Sequence, residues 1–177
     1  MQESMMDNIQ LEDKNLTIDE IMRLYGQDIL QLVFAYVKDK PIAEDLTQEI
    51  FIKCYKYLHT YKHESKIKTW IYRIAINHCK DHLKSWYHKN VMVTQDESYP
   101  IRREDKSVEE EVIQRSEDGE LIQAVMALPT KYRELIYLFY FEEMQLKEIA
   151  EVTKQNVNTI KTRLRRAKAI LQEKLGG

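Results

Sequence analysis

The sequence has few of the residues that make a chain turn, with four glycines and three prolines among 177 residues. Leu, Ile, Glu and Lys are plentiful, and these residues favour helices over hairpins. The sequence also has no glycine-rich loop of the kind that cradles phosphates. We therefore expect an all-α fold.

Cysteines and long apolar runs are scarce too. Two cysteines, Cys54 and Cys79, make no disulfide framework, so we expect reduced thiols in a cytosolic protein. The longest apolar stretches fall far short of the roughly 20 residues that span a bilayer. The polar N-terminus, MQESMMDNIQ, does not resemble a signal peptide. These absences predict a soluble, cytoplasmic protein.

The net charge of −2 conceals an uneven distribution. Residues 53–89 hold nine Lys or Arg against two acids, and all five histidines lie in the same stretch. Residues 96–120 hold ten acids against four bases, whereas residues 154–174 hold seven bases against one acid. The sequence therefore predicts two basic modules separated by an acidic segment.

We interpret these modules as two small helical domains, an N-terminal domain of three or four helices at 17–90 and a C-terminal domain at 120–175. Residues 91–119 are then an acidic linker, ending in a short helix at 108–115. Two interpretations of the linker remain open. It is either a solvated, disordered connector or a tether that shields basic surfaces until DNA displaces it.

Apolar periodicity places the helices of the first domain. The stretch AEDLTQEIFIKCYKYL spaces Leu46, Ile50, Cys54 and Leu58 four residues apart, with Phe51 beside them. The preceding stretch, IDEIMRLYGQDILQLVFAYV, and the following one, TWIYRIAINHCKDHLKSW, have similar stripes. We expect these stripes to face a common core.

The stretch NVNTIKTRLRRAKAIL, residues 156–171, carries five Lys or Arg and no acid. At 100° per residue, its apolar side chains form one stripe. That stripe contains Ile160, Leu164, Ala167 and Leu171. The opposite face offers Lys161, Thr162, Arg165 and Arg166, with Lys168 at its flank. Arg163 falls near the core boundary, where we expect an intramolecular contact.

The preceding LKEIAEVTKQNV supplies a first helix and a short turn, so the pair predicts a DNA-binding helix-turn-helix. Lys and Arg neutralise phosphates, and Arg also binds guanine in a bidentate manner. Asn158 and Thr159 lie at the start of the second helix, where their side chains can cap it and backbone N–H groups can meet a phosphate.

Two blocks together resemble the extracytoplasmic-function (ECF) sigma factors of the bacterial sigma-70 family. AEDLTQEIFIKCYKYL followed by YKHESKIKTWIYRIAINHCKDHLK resembles their N-terminal domain, and LPTKYRELIYLFYFEEMQLKEIAEVTKQNVNTIKTRLRRAKAIL resembles their C-terminal domain. The resemblance covers residues 19–171. It implies a protein that binds core RNA polymerase, directs it to promoter DNA, helps to open the duplex and has no active site of its own.

The resemblance also assigns expected roles to residues. Lys161, Thr162, Arg165 and Arg166 would read the upstream (minus-35) element, the same four that the helical wheel selects. The minus-10 element would be bound by residues of the 61–68 loop and the helix after it. These are Lys62, Ser65, Lys66, Lys68, Trp70, Tyr72 and Asn77. Basic groups would hold the backbone and aromatic rings would stack on an unpaired base, although Trp70 and Tyr72 can instead be core residues, since large aromatic side chains are usually buried.

The helix at 43–58 would dock on the polymerase. Asp45, Gln48 and Glu49 share one face at helical spacing, and such a face suits a basic partner. Family members are often inhibited by an anti-sigma protein, frequently membrane-bound, although nothing in the sequence identifies one. We expect no cofactor, no metal and no small-molecule substrate.

Two positions depart from the family pattern. His63 and Asn158 stand where the family commonly has glycine. Asn tolerates left-handed and capping conformations, so the second departure should be mild. The first leaves the detailed shape of the 61–68 loop open.

Three other functions are less well supported by the residues. In HCKDH, the side chains of His78, Cys79 and His82 could contribute to a metal or redox site, but no second ligand pair is nearby in the sequence. A stand-alone helix-turn-helix regulator would explain only the C-terminal half. We find no nucleophile–base arrangement and no paired carboxylates that would indicate an enzyme.

Overall fold

The computed structural model describes residues 16–90 and 117–176 of the chain. Within these two ranges there are seven α-helices and no strand, so the expected all-α class is confirmed. The predicted helix at 108–115 and nearly all of the predicted linker lie outside the described residues. A search of the described helices finds none with the length and apolarity needed to cross a membrane.

The first three helices form what we call the N-terminal group. They are α1 (Ile18–Val37), α2 (Lys40–Tyr57) and α3 (Ile67–Asn90), with a short 3-10 turn, Leu58–Thr60, after α2.

The sequence determines where these helices begin. Thr17 starts α1 with a capping box, in which its backbone N–H donates to Glu20 at 2.8 Å. Asp39 caps α2 by accepting the backbone N–H of Ile42 at 3.0 Å, and Pro41 lies in the first turn, where it has no hydrogen bond to lose. The interruption between α1 and α2 therefore combines a left-handed residue, Lys38 at φ 56°, with a strong cap.

The remaining helices form the C-terminal group. They are α4 (Glu117–Met126), α5 (Thr130–Ile136), α6 (Leu146–Thr153) and α7 (Val157–Gly176), and α5 continues into a π-helical turn, Tyr137–Phe141.

The predicted stripes form the core. Leu46, Ile50, Phe51 and Cys54 are buried on α2, and Leu58 is half-buried in the turn that follows. On α7, Ile160, Leu164 and Ala167 are buried and Leu171 is half-buried. On α1, the buried members of the stripe are Ile21, Ile29, Leu32, Val33 and Tyr36, and on α3 they are Ile71 and Ala75. Leu24 and Tyr25 on α1, and Ile74 and Leu83 on α3, belong to the same stripes and are half-buried.

The two groups pack against each other around a buried arginine. Arg133 on α5 is only 3% exposed, and its guanidinium donates to the carbonyl oxygens of Ala35 and Tyr36 in the last turn of α1. That turn contains no basic residue of its own, so Arg133 supplies the cation that a helix C-terminus favours. One continuous set of buried apolar side chains therefore extends through both groups.

Next to it, Glu134 completes a buried polar network. Its carboxylate accepts hydrogen bonds from the Tyr36 hydroxyl at 2.6 Å and from the Gln155 amide at 2.8 Å. Burial beside this carboxylate raises the pKa of Tyr36 well above its usual value, so the phenol stays protonated and remains a donor. The network joins α1, α5 and the turn between α6 and α7.

Candidate nucleic-acid interface

Helices α6 and α7 form the helix-turn-helix that the sequence predicts. Thr153 ends α6, Lys154 follows in a left-handed conformation at φ 55°, and α7 starts at Val157. The residue that caps α7 is Asn156, whose side-chain oxygen accepts the backbone N–H of Asn158 at 2.8 Å. The expectation that Asn158 or Thr159 caps this helix is therefore wrong, because α7 begins one residue before Asn158.

The predicted reading face of α7 is exposed. Lys161, Thr162, Arg165 and Arg166 all lie in solvent on the side opposite the buried stripe, and Asn158 and Thr159 are exposed one turn earlier. The Thr162 hydroxyl donates to the Asn158 carbonyl at 3.0 Å, and its oxygen stays free to accept. Lys161, Arg165 and Arg166 form no ion pair with any other described residue. A charged face anchored by a buried one is what a major-groove helix requires.

Two other cations of α7 behave differently. Arg163 donates to the Gln155 side chain at 2.9 Å and is half-buried, which confirms the predicted intramolecular contact. Lys168 is exposed, and its ammonium lies 5.4 Å from the centre of the Tyr140 ring. It borders an apolar groove of about 650 Å³ formed by α4, the π-helical turn and the end of α7. Lys168 therefore lies at the edge of the reading face rather than in it.

The 61–68 loop and α3 form a second basic surface. Lys62 is exposed, and Ser65 is half-buried with its carbonyl accepting the Tyr61 hydroxyl. His63 adopts a left-handed conformation at φ 59°, which glycine enters without strain because it has no Cβ atom. This explains why the family pattern has glycine at this position. Its ring lies 4.5 Å from the Tyr61 ring, so it packs on the loop.

Trp70 packs on the core and keeps part of its side chain accessible. Its ring packs against the core and against Tyr61, at 5.5 Å between ring centres, yet the side chain is only half-buried. Asn77 is also half-buried on α3. It lies about 10 Å further along the helix axis than Trp70.

Tyr72 does not present a ring face in this conformation. It is fully buried, and its hydroxyl donates to Glu142 of the C-terminal group at 2.7 Å. The expectation that Tyr72 stacks on a base is therefore wrong for this conformation. Burial, followed by the charge of Glu142, raises the pKa of the phenol, so Tyr72 remains a neutral hydrogen-bond donor.

The cations of this second surface contact acids of the C-terminal group. Lys66 lies 3.9 Å from Glu148, and Lys68 lies 3.3 Å from Glu142. Further along α3, Arg73 pairs with Glu151, and Lys80 lies 3.4 Å from Glu134. Sequence reasoning missed this arrangement, since the partners are 54 to 82 positions apart in the chain and neither helical nor loop spacing relates them.

The face predicted to dock on a polymerase is exposed on α2. Asp45, Gln48 and Glu49 all lie in solvent there. Glu49 is held by α3, because its carboxylate lies 2.7 Å from the His78 ring nitrogen. The apolar side chains of Ile52 and Tyr55, 56% and 68% exposed, extend the same side of the helix. The sequence interpretation missed these two, although helical spacing from Gln48 would have found both.

The HCKDH stretch has a different geometry from a metal site. No group of three His, Cys, Asp or Glu side chains in the described ranges is placed to hold a metal ion. Cys79 is buried like Cys54, and burial raises the pKa of both thiols to about 12. Because the thiolate is the reactive form, neither cysteine is poised for redox chemistry.

Comparison with known proteins identifies both groups. Residues 21–87 match the family description "Sigma-70 region 2", and residues 118–171 match "Sigma-70, region 4". The chain is 34% identical over 151 residues to the RNA polymerase sigma factor SigV of Bacillus subtilis, covering 85% of this chain and 86% of that protein. It is 32% identical over 158 residues to the ECF RNA polymerase sigma factor SigM of the same organism, covering 89% and 94%.

Solved structures show the same fold. The sigma factor RpoE of Bartonella quintana, crystallised with the anti-sigma factor NepR, superposes with a TM-score of 0.69 at 19% identity, covering 89% of this chain and 96% of that one. CnrH, in complex with the cytosolic domain of CnrY, gives a TM-score of 0.64 at 19% identity, with 90% and 87% covered. The chain belongs to the sigma-70 family and is an RNA polymerase sigma factor of the extracytoplasmic-function type.

Proposed function

We propose that this sigma factor divides promoter recognition between the exposed face of α7 and the surface of α3 with its preceding loop. The observation that carries the proposal is the α7 face, where Lys161, Thr162, Arg165 and Arg166 are exposed opposite the apolar stripe that packs into the core. Its role is to read the minus-35 element in the major groove, with Asn158, Thr159 and Lys168 meeting the flanking backbone.

The minus-10 element is bound by the loop and by α3. Lys62, Lys66 and Lys68 hold the phosphates of the opened strand, and Ser65 and Asn77 supply polar contacts to a base edge. The half-buried ring of Trp70 has an accessible part on which an unstacked base can lie. Tyr72 supports the surface from within.

Core RNA polymerase binds α2. The exposed groups of Asp45 and Gln48 suit a basic partner surface, and the neighbouring Ile52 adds apolar area that becomes buried on docking. Polymerase and promoter DNA are in the cytoplasm, so this is where the protein acts. The solved relative RpoE is bound to an anti-sigma factor, and we extend to this chain the proposal that an anti-sigma protein regulates it.

Polymerase binding is tested with Asp45→Arg in the full-length protein. We expect affinity for purified core RNA polymerase to fall by about tenfold or more, because truncating or reversing an interface charge commonly costs 2 kcal/mol or more. Glu44→Arg is the matched control, since Glu44 is also exposed but lies about 100° around the helix from Asp45. Equal affinity of both variants, measured by fluorescence anisotropy, would remove this face of α2 from the interface.

A further inference from the structure

A hydrogen bond joins the predicted polymerase-docking face of α2 to α3. Nε2 of His78 lies 2.7 Å from Oε2 of Glu49, although the two residues are 29 positions apart in the chain. An ionised carboxylate can only accept, so Nε2 carries the hydrogen and the imidazole is the donor. The contact therefore connects a solvent-facing acid, 56% exposed, to a ring that is only 15% exposed.

Glu49 has one carboxylate oxygen held and the other available. Oε2 accepts from His78, whereas Oε1 accepts no hydrogen bond from another residue in the ranges 16–90 and 117–176. Asp45 and Gln48 are exposed on the same face, and their side chains form no hydrogen bond or ion pair within those ranges. Of these three side chains, only Glu49 is held in place by a second helix.

A second imidazole lies one turn further along α3. Burial lowers the pKa of His82, and the nearby charge of Glu49 acts in the opposite direction. Since the lowered pKa leaves this ring mainly neutral at neutral pH, His82 adds no cation to the docking face there. The acids of the face therefore stay complementary to a basic partner.

Holding a long side chain before binding reduces the cost of docking. A glutamate that rotates freely loses rotamer entropy when a partner immobilises it, and a hydrogen bond in the unbound protein removes part of that loss in advance. Exposed contacts of this kind contribute little to folding stability, so the effect belongs to binding. Ile52, one turn beyond Glu49, is exposed on the same side, so docking shields the contact from water and strengthens it.

We infer that His78 is a positioning residue of the polymerase interface. Its imidazole holds one oxygen of Glu49 and leaves the other to accept from a basic group of core RNA polymerase, so α3 contributes to polymerase binding through α2. The inference rests on the proposed docking of α2. It gives the HCKDH stretch a role other than metal binding or redox chemistry.

The test uses full-length chains altered at His78. His78→Gln keeps a donor at the same reach, because Nε2 of glutamine is the same number of bonds from Cβ as Nε2 of histidine. His78→Asn carries the same amide on a shorter side chain, and His78→Leu keeps the bulk without a donor. The matched control is His88→Leu, the same change at an exposed position of α3 about 15 Å further along the axis.

Affinity for purified core RNA polymerase is measured by competition with a fluorescently labelled unaltered chain. We expect His78→Leu and His78→Asn to bind about threefold to tenfold more weakly, the range that ordering one long side chain accounts for. His78→Gln and His88→Leu should bind like the unaltered chain. Thermal unfolding of each variant separates loss of affinity from loss of structure, and His78→Asn carries the test if His78→Leu fails to fold.

A double-mutant cycle shows whether His78 acts through Glu49. Glu49→Ala alone should weaken polymerase binding by about tenfold or more. Adding His78→Leu, or His78→Asn, should then weaken it no further. An equal loss from the His78 substitution in both backgrounds would overturn the inference, because a role in packing does not depend on Glu49.

Two other results would also overturn it. One is unaltered affinity of His78→Leu and His78→Asn while Glu49→Ala binds weakly, and the other is a loss in His78→Gln as large as in His78→Leu. In both cases the docking face itself would stand. Unaltered affinity of Glu49→Ala together with Asp45→Arg would instead remove the proposed docking face, and the inference with it.

Discussion

At the scale of single residues, the cations of α7 divide into two kinds with different consequences. Arg165 is exposed and forms no ion pair within the described residues, whereas Arg163, two positions earlier, is hydrogen-bonded to Gln155 beside the buried Glu134. Both are arginines on one helix, yet only the first is free to meet a base or phosphate.

We therefore expect substitution by alanine to affect DNA binding at one of these arginines and stability at the other. Arg165→Ala should weaken binding to a minus-35 fragment by about 1–3 kcal/mol, the usual value of an arginine contact with a base, and leave stability unchanged. Arg163→Ala should instead lower the free energy of unfolding by about 1 kcal/mol, because it removes a hydrogen bond and leaves the Gln155 oxygen unpaired. Urea unfolding and DNA anisotropy distinguish the two. Loss of DNA affinity in both variants without loss of stability would contradict the assignment of a DNA-binding role to Arg165 and a structural role to Arg163.

Lys38 shows how the packing of the groups perturbs a single charge. Burial, followed by the positive charges of Arg133 and Lys174, lowers its pKa to about 8. Its folded-state pKa is below that of the unfolded chain, so the folded state binds fewer protons between pH 8 and 10.5. Lys38 therefore favours folding more as pH rises through that window. Cys54 and Cys79 act in the opposite direction, since burial raises their pKa from 9 to about 12.

At the scale of elements, the turn of the helix-turn-helix depends on a strained residue. Lys154 is exposed in a left-handed conformation, where a side chain costs about 1–2 kcal/mol that glycine avoids. Lys154→Gly should therefore raise the free energy of unfolding by about 0.5–1 kcal/mol after the loss of chain entropy is counted. The control is Lys84→Gly, at an exposed position inside α3, which should lower it by about 1 kcal/mol. Equal destabilisation by both, in urea titrations, would show that the turn is not strained.

Most of the elements could be predicted from the sequence, because their apolar stripes repeat at helical spacing. The stripes of α2 and α7 are buried as expected. The start of α7 was misplaced, because Asn156 and Asn158 are both good caps and only the backbone distinguishes them. Tyr72 was assigned to DNA because an aromatic residue beside basic ones suits a stacking role, whereas its burial depends on a partner 70 positions away.

At the scale of the whole molecule, the contacts between the two groups escaped prediction. The basic and acidic stretches are visible in the sequence, and shielding by the acidic linker is one of the two interpretations that the sequence leaves open. That linker lies mainly outside the described residues, so its role stays a prediction. The acids that contact the N-terminal group are instead dispersed through α5, α6 and the turn between them. The sequence around a single glutamate does not show which distant base it will contact. Such contacts become visible only in three dimensions.

The exposed face of α2 and the two basic surfaces have complementary roles in the proposed function. An almost neutral protein with local basic faces avoids indiscriminate binding to DNA, which strong net charge would favour. In the proposed arrangement, polymerase binding through α2 brings both DNA-binding surfaces to a promoter at once and raises their effective concentration there.

The most direct test of the central claim is run-off transcription over a library of promoter fragments, using core RNA polymerase freed of other sigma factors. We predict specific start sites when this protein is added, none without it, and a reduced yield with Arg165→Ala or with Asp45→Arg. Absence of initiation, together with tight binding of duplex DNA by the protein alone, would contradict the account and indicate a stand-alone regulator.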